Sequence, residues 1–182
     1  ARQTGKTYSI DRFAKENYSR YYRLDLHEDV EARTIFDGNL DSSTLIMNMS
    51  AFIPGFDIVP GDTLIFIDEI QDCPNARASL KFLSGNPDFD VIASGSLMGL
   101  RTRGTTFIPV GSEENLHMNP MDFEEFLWAL GVSDKVVEHL RAHIADMEPL
   151  EESVFQSISQ YLRWYMIVGG MPEAVRTFVD TR

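Results

Sequence analysis

Two short runs in this chain have residue types and spacing that can do chemistry. The first is Ala1-Arg2-Gln3-Thr4-Gly5-Lys6-Thr7. A glycine followed by lysine and threonine, directly before a helix, is the second half of the phosphate loop G-x-x-x-x-G-K-S/T. Gly5 lets the backbone turn tightly, so that successive N–H groups from Arg2, Gln3 and Thr4 onward can face a polyphosphate. The helix that follows adds its positive N-terminal end. Lys6 would place a cation on the β and γ phosphates, and the Thr7 hydroxyl would ligate Mg2+. Counted back, the first glycine of the motif would stand just before Ala1. A Gly-Lys-Thr triplet also occurs at helix starts without any ligand, so the triplet alone leaves both readings open.

The second run is Leu64-Ile65-Phe66-Ile67-Asp68-Glu69. A buried strand that delivers a carboxylate at its C-terminal edge supplies the second Mg2+ contact that phosphoryl transfer needs. Asp68 would hold the ion, and Glu69 could polarise an attacking water as a general base. An Asp-Glu pair after a strand can instead be a helix N-cap, since both residues favour helix starts. Lys6 lies upstream at a distance compatible with a βαβ unit, which favours the nucleotide reading. Ser94 and Ser96, at the end of the next apolar run, would lie beside Asp68 if the two strands are neighbours. A hydroxyl there could sense the γ phosphate or orient the water, or it could simply form a turn with Gly95.

These residues need a sheet to hold them, and the chain reads as one. Ile10, Phe13 and Ala14 recur at helical spacing between Thr7 and about Asn17, and Tyr21 to Leu26 alternates at period two. Residues 29–53 read as broken helix, with a turn at Asp37-Gly38-Asn39 and a cap at Asp41-Ser42. After the turn Pro60-Gly61-Asp62, Thr63 to Ile67 is a continuous apolar run, as in a strand buried on both faces of a parallel sheet. A helix from about Asn75 to Leu83 precedes a strand at Asp90 to Ser94. Strands separated by helical crossovers predict an α/β sheet with right-handed connections. Thr105 to Val110 and Asn115 to Met118 are expected as two short strands. Helices are expected over Asp122 to Leu130, Asp134 to Met147 and Glu152 to Val168, with Gly169-Gly170 ending the third and Pro172 opening a fourth.

Twenty-eight acidic residues against sixteen basic ones leave a net charge of −12, which excludes a basic nucleic-acid footprint as the main feature of this chain. The acidity is uneven, with thirteen acidic and five basic residues in 111–182. A chain of 182 residues with 43% hydrophobic residues buries roughly 70% of its unfolded surface and needs neither metal nor disulfide to hold a core. The single Cys73 has no bridge partner, no basic-then-apolar leader opens the sequence, and no apolar stretch approaches the ~20 residues of a membrane span. A cytoplasmic location without membrane contact is expected.

Further segments make the pattern more specific. Ala-Arg-Gln-Thr-Gly-Lys-Thr at 1–7, Ile-Phe-Ile-Asp-Glu-Ile-Gln at 65–71 and Ala-Ser-Gly-Ser at 93–96 are followed by Asn-Pro-Met-Asp-Phe-Glu-Glu-Phe-Leu at 119–127 and Gly-Gly-Met-Pro-Glu at 169–173. Together they resemble prokaryotic AAA-type ATPases that commonly carry a C-terminal domain of the DUF4143 group. The resemblance implies an ASCE-type P-loop fold, with an extra strand between the phosphate-loop strand and its neighbour and a small helical lid. ATP and Mg2+ are the implied ligands. By position, Gly5, Lys6 and Thr7 match the phosphate loop (Walker A), Asp68 and Glu69 the Walker B pair, and Ser94 or Ser96 the sensor, while Gln71 matches a position without an assigned role. Such proteins are much longer, so the chain is expected to be their ATPase portion, cut inside Walker A. It would lack the first strand and the C-terminal domain, and its own nucleotide binding would be weakened. The expected division is a core over 1–118 and a lid over 119–182, with hydrolysis driving a C-terminal effector. A nucleotide-regulated switch that scarcely turns over is the alternative. A protein partner or a second copy remains open, and nucleic acid is not supported.

Other residues carry weaker signals. Arg101 and Arg103 sit on a Gly-bounded loop from which an arginine could reach a γ phosphate, with Arg103 the candidate finger, although loop arginines are commonly just solvated. Arg163 and Arg176 could fill a lid-borne sensing role without their spacing requiring it. His139 and His143 have the spacing of a two-histidine metal pair but no evident third ligand, so packed or exposed histidines are expected. Phe123, Phe126, Leu127 and Leu130 are expected to face a core, as are Tyr161, Leu162, Tyr165 and Met166. Glu113-Glu114, Glu124-Glu125 and Glu151-Glu152 are expected as solvated faces.

Overall fold

The computed structural model describes residues 3–95 and 113–182. They form two compact units, Lys6–Leu116 and, separately, Ala1–Gly5 with His117–Arg182. The first contains α1 (Lys6–Asn17), β1 (Arg20–Asp25), α2 (Ser42–Phe52), β2 (Thr63–Asp68), α3 (Pro74–Leu83) and β3 (Asp90–Ala93), with 3-10 turns at Glu31–Phe36 and Ile70–Asp72. The three strands form one parallel sheet in the order β1-β2-β3, an α/β fold compatible with a P-loop NTPase.

All six residues of β2 are buried, because it is the central strand and is covered on both faces. Side chains alternate along a strand, so Ile65 and Ile67 face one side and Leu64, Phe66 and Asp68 the other. The first side is the main core. Ile65 and Ile67 pack with Leu24, Leu26, Ile35, Phe36, Leu45, Met49 and Leu83 from the neighbouring strand and helices. In the register of the sheet, Tyr21, Arg23 and Asp25 stand opposite Leu64, Phe66 and Asp68. That second face is the one on which α1 packs, through the Thr7 to Asp68 and Asp11 to Tyr21 contacts.

Local chemistry explains the helix starts. Asp41 caps α2, its carboxylate accepting from the Thr44 N–H at 3.0 Å, and Pro74 occupies the first turn of α3, where its missing N–H costs nothing. Cys73, the residue before it, is buried and free.

The second unit holds α4 (Phe123–Ala129), α5 (Asp134–Asp146), α6 (Glu152–Val168) and α7 (Pro172–Thr181). Asp122 and Glu125 form a reciprocal capping box at the start of α4. Phe126 and Leu127 are fully buried, and Leu127 packs with Val137, Leu140, Ile158 and Tyr161. Gly170 is required by close approach: a Cβ there would sit 2.0 Å from the Met121 carbonyl oxygen, and Met121 N–H donates to Gly170 at 2.7 Å. Gly169, at φ +75°, ends α6 in the left-handed region.

Three expectations are corrected. Asn115 to Met118 forms no strand, since Leu116 is 88% exposed and no ladder pairs the segment among the described residues; the companion segment at 105–110 lies outside them. Leu162 and Met166 are exposed on α6, whose contacts with the cluster around Leu127 run through Val154, Ile158 and Tyr161 instead. Glu113 and Glu124 are half-buried and paired rather than simply solvated, whereas Glu114, Glu125, Glu151 and Glu152 are exposed as expected, Glu125 and Glu151 with partners. Arg77 holds Glu113 through two bonds of 2.5 and 2.8 Å, Arg141 holds Glu124, Glu125 completes its capping box, and Glu151 meets His139. Arg163 is exposed, and Arg176 pairs with Asp180 at 3.6 Å. Among the described residues, no helix is long and apolar enough to cross a membrane.

Candidate functional site

The site collects at the C-terminal ends of the parallel strands, where β2 ends in Asp68 and β3 gives way to Ser94. Helix α1 begins at Lys6, directly after Gly5, whose φ of +85° lies in the region where a Cβ is strained. Thr7 is therefore in the first turn, and its hydroxyl donates to Asp68 Oδ2 at 2.9 Å. This contact joins two sequence-distant candidates for one cation. A hydroxyl and a carboxylate are hard oxygen donors, the set that suits Mg2+.

Asp68 is held from several directions. Its side chain is 2% exposed, and Oδ1 accepts from the Ser94 hydroxyl and from the Glu69 N–H at 3.1 Å. Ser94 is fixed by its backbone: its N–H donates to Ile67 O at 2.9 Å and its carbonyl accepts from Ile70 N–H at 2.9 Å. The strands are neighbours, and Ser94 lies beside Asp68. Ser96, Arg101 and Arg103 lie outside the described residues, as does Arg2. Gln3, Thr4 and Gly5 belong to the other unit; there Gln3 has φ 60° and Thr4 is buried.

Glu69 adopts φ 50°, an uncommon conformation for a residue with a Cβ, and its side chain makes no cap hydrogen bond. The capping alternative for the Asp-Glu pair is thus not what the side chain does. Its Oε2 accepts instead from Gln71 Nε2, which gives Gln71 a contact that sequence could not supply. Gly95 belongs to the same arrangement, because a Cβ at that position would stand 2.6 Å from Gln71 Oε1.

Sequence reasoning missed Arg23. Its guanidinium Nη2 lies 2.9 Å from Asp68 Oδ2 and 2.7 Å from Asp25 Oδ2, and Nη1 is 3.8 Å from Asp11 Oδ2. Period two places Tyr21, Arg23 and Asp25 on one face of β1, but only the register with β2 brings that face to Asp68. Burial disfavours the charged guanidinium, yet Asp68, Asp11 and Asp25 outweigh it and hold Arg23 more firmly protonated than usual. Burial likewise pushes the Asp25 carboxyl up, while the N–H groups of Glu28 and His27 and the Arg23 guanidinium leave it net below its ordinary range. The Tyr21 hydroxyl, half-buried and bonded to Asp11, is pushed well up by that partial burial and by the bond.

No curated protein and no solved structure matches the chain significantly. A family model described as an AAA domain matches residues 1–127. That match covers both the Gly-Lys-Thr helix start and the strand ending in Asp68, and the chain belongs to this AAA-domain family, whose members are of nucleotide-binding, ATPase type.

Proposed function

We propose that the chain is an Mg2+-dependent ATP-hydrolysing module whose turnover drives or gates a C-terminal effector. The observation that carries this reading is the 2.9 Å bond from Thr7 Oγ1 to Asp68 Oδ2, which pairs a helix N-terminus with a strand C-terminus as two ligands of one cation require. Lys6, at the N-terminus of α1, binds and orients the phosphates. Thr7 and Asp68 hold Mg2+, which when bound neutralises charge developing on the β and γ phosphates. Glu69 accepts the proton of the attacking water, and Gln71 fixes the carboxylate that does so. Ser94 keeps Asp68 oriented. Ser96 and Arg103 complete the proposed set as second sensor and arginine finger, and residues 119–182 are proposed as the lid. A protein partner or a second copy would present such a finger or receive the output, in a cytoplasmic setting.

Glu69→Gln is the test. It removes the base and keeps the shape, so ATP should remain bound while turnover falls about 100-fold or more. Turnover that is negligible in the parent, with ATP bound equally by both proteins, would support a switch that does not hydrolyse. Turnover equal to an active parent's would remove Glu69 from the chemistry.

A further inference from the structure

The helical unit brings together three metal-binding side chains that lie apart in sequence. His139 and His143 project from α5 four residues apart, one above the other, with ring centroids 4.1 Å apart. Glu151 stands at the N-cap of α6, just after Pro149 and Leu150 turn the chain back. His139 Nε2 is 3.0 Å from Glu151 Oε2, and a donor atom from each of the three residues lies within 4.8 Å of the other two. The third ligand that the histidine spacing lacked is therefore supplied by the fold.

We propose that His139, His143 and Glu151 form a binding site for a divalent transition-metal ion, with Zn2+ the expected occupant. Two imidazoles and one carboxylate are the protein ligands of an open, four-coordinate zinc site, with water in the remaining position. Bonds of about 2.0–2.2 Å set tetrahedral ligand atoms about 3.3 Å apart, so donors already within 4.8 Å converge by side-chain adjustment alone. His143 Nδ1 lies 3.0 Å from the His139 carbonyl oxygen. A proton on that nitrogen satisfies the carbonyl and leaves the Nε2 lone pair for the metal, the arrangement that usually orients a ligating histidine. The side chains of His139 and Glu151 are 38% and 61% exposed, which leaves the ion a path in and room for water.

The alternative is a plain surface contact, a histidine and a glutamate sharing a proton, which contributes little to stability at such exposure. The two differ in what they do with the second histidine. An ion pair has no use for His143, whereas a metal site loses a ligand without it. Binding would clasp the end of α5 to the start of α6 across the Pro149 turn.

The test uses the whole chain, free of any affinity tag and stripped with a chelator, and titrates it calorimetrically with Zn2+ in excess Mg2+, which occupies oxygen-only sites. One equivalent should bind with micromolar affinity or better. His139→Ala, His143→Ala and Glu151→Gln should each weaken binding at least 10-fold, whereas His27→Ala and Cys73→Ser should leave it unchanged. Absence of binding, or binding that survives both histidine substitutions, overturns the proposal. Co2+ added to the parent gives a reading that does not depend on any variant folding. An intense visible spectrum of low coordination number supports the site, and the weak spectrum of an octahedral aquo ion overturns it.

Discussion

A carboxylate that has lost its water must be compensated by donors, and Asp68, with 2% of its side chain exposed, has them from Thr7, Ser94, the Glu69 N–H and Arg23. Only Arg23 among these carries a full charge. Its position on Oδ2, the oxygen shared with Thr7, makes it a stand-in for the cation proposed there. Removing it leaves a buried charge short of its partner, a change that costs several kcal/mol when a pair is fully enclosed and less when, as here, the guanidinium is 35% exposed. Arg23→Gln should therefore destabilise the ligand-free protein by about 1–3 kcal/mol, read from the urea midpoint. Mg2+ with nucleotide should restore more stability to the variant than it adds to the parent, because no guanidinium then has to be displaced. An unaltered midpoint would show that Arg23 does not neutralise Asp68. Thr7 and Asp68, which the structure joins, were legible as candidates because one follows Gly5-Lys6 at a helix start and the other ends an apolar strand. Arg23 was not, because its role depends on register between strands separated by a helix and a long loop.

At the scale of the element, the helix starts follow local rules that sequence exposes directly. Asp41 accepts from the Thr44 N–H and from the hydroxyls of Ser43 and Thr44, and these bonds lower its pKa from the ordinary 3.8 to about 2. A folded-state value below the unfolded one means that the stabilisation is fully present above pH 3.8 and is lost as the pH falls through 2. Asp41→Ala should lower the melting temperature at pH 7 by about 2–4 °C, and the gap from the parent should narrow between pH 4 and 2. Asp41→Asn, which keeps an acceptor but not the charge, should fall between the parent and Asp41→Ala at pH 7. A gap independent of pH would assign the effect to helix propensity rather than to the charged cap. Strands were equally legible where burial was complete, as in β2. The segment at Asn115 to Met118 forms no strand because four residues alternating apolar and polar do not by themselves supply the ladder partner that a strand needs.

Across the described residues, two hydrophobic clusters share no residue: one gathers side chains from β1, β2 and the helices beside them, the other from α4, α5 and α6. Phe36, fully buried in the first, and Leu127, 1% exposed in the second, have no common partner in these clusters. Phe36→Ala should cost about 3–5 kcal/mol and Leu127→Ala about 2–5 kcal/mol, and the double variant should lose their sum within about 0.5 kcal/mol in urea unfolding. A larger departure would reveal coupling that the separate cores do not carry. The amino-acid sequence alone determined the order of α1 to α3 and β1 to β3, the Gly-Lys-Thr helix start and the carboxylate pair after β2. Each of these is written in periodicity or in spacing of a few residues. Tertiary structure alone decided that Arg23 meets Asp68, that Gln71 holds Glu69, and that Glu151 joins His139 and His143. Such meetings depend on strand register and on where a turn returns the chain, and these are set by the packing of whole faces rather than by neighbours in sequence.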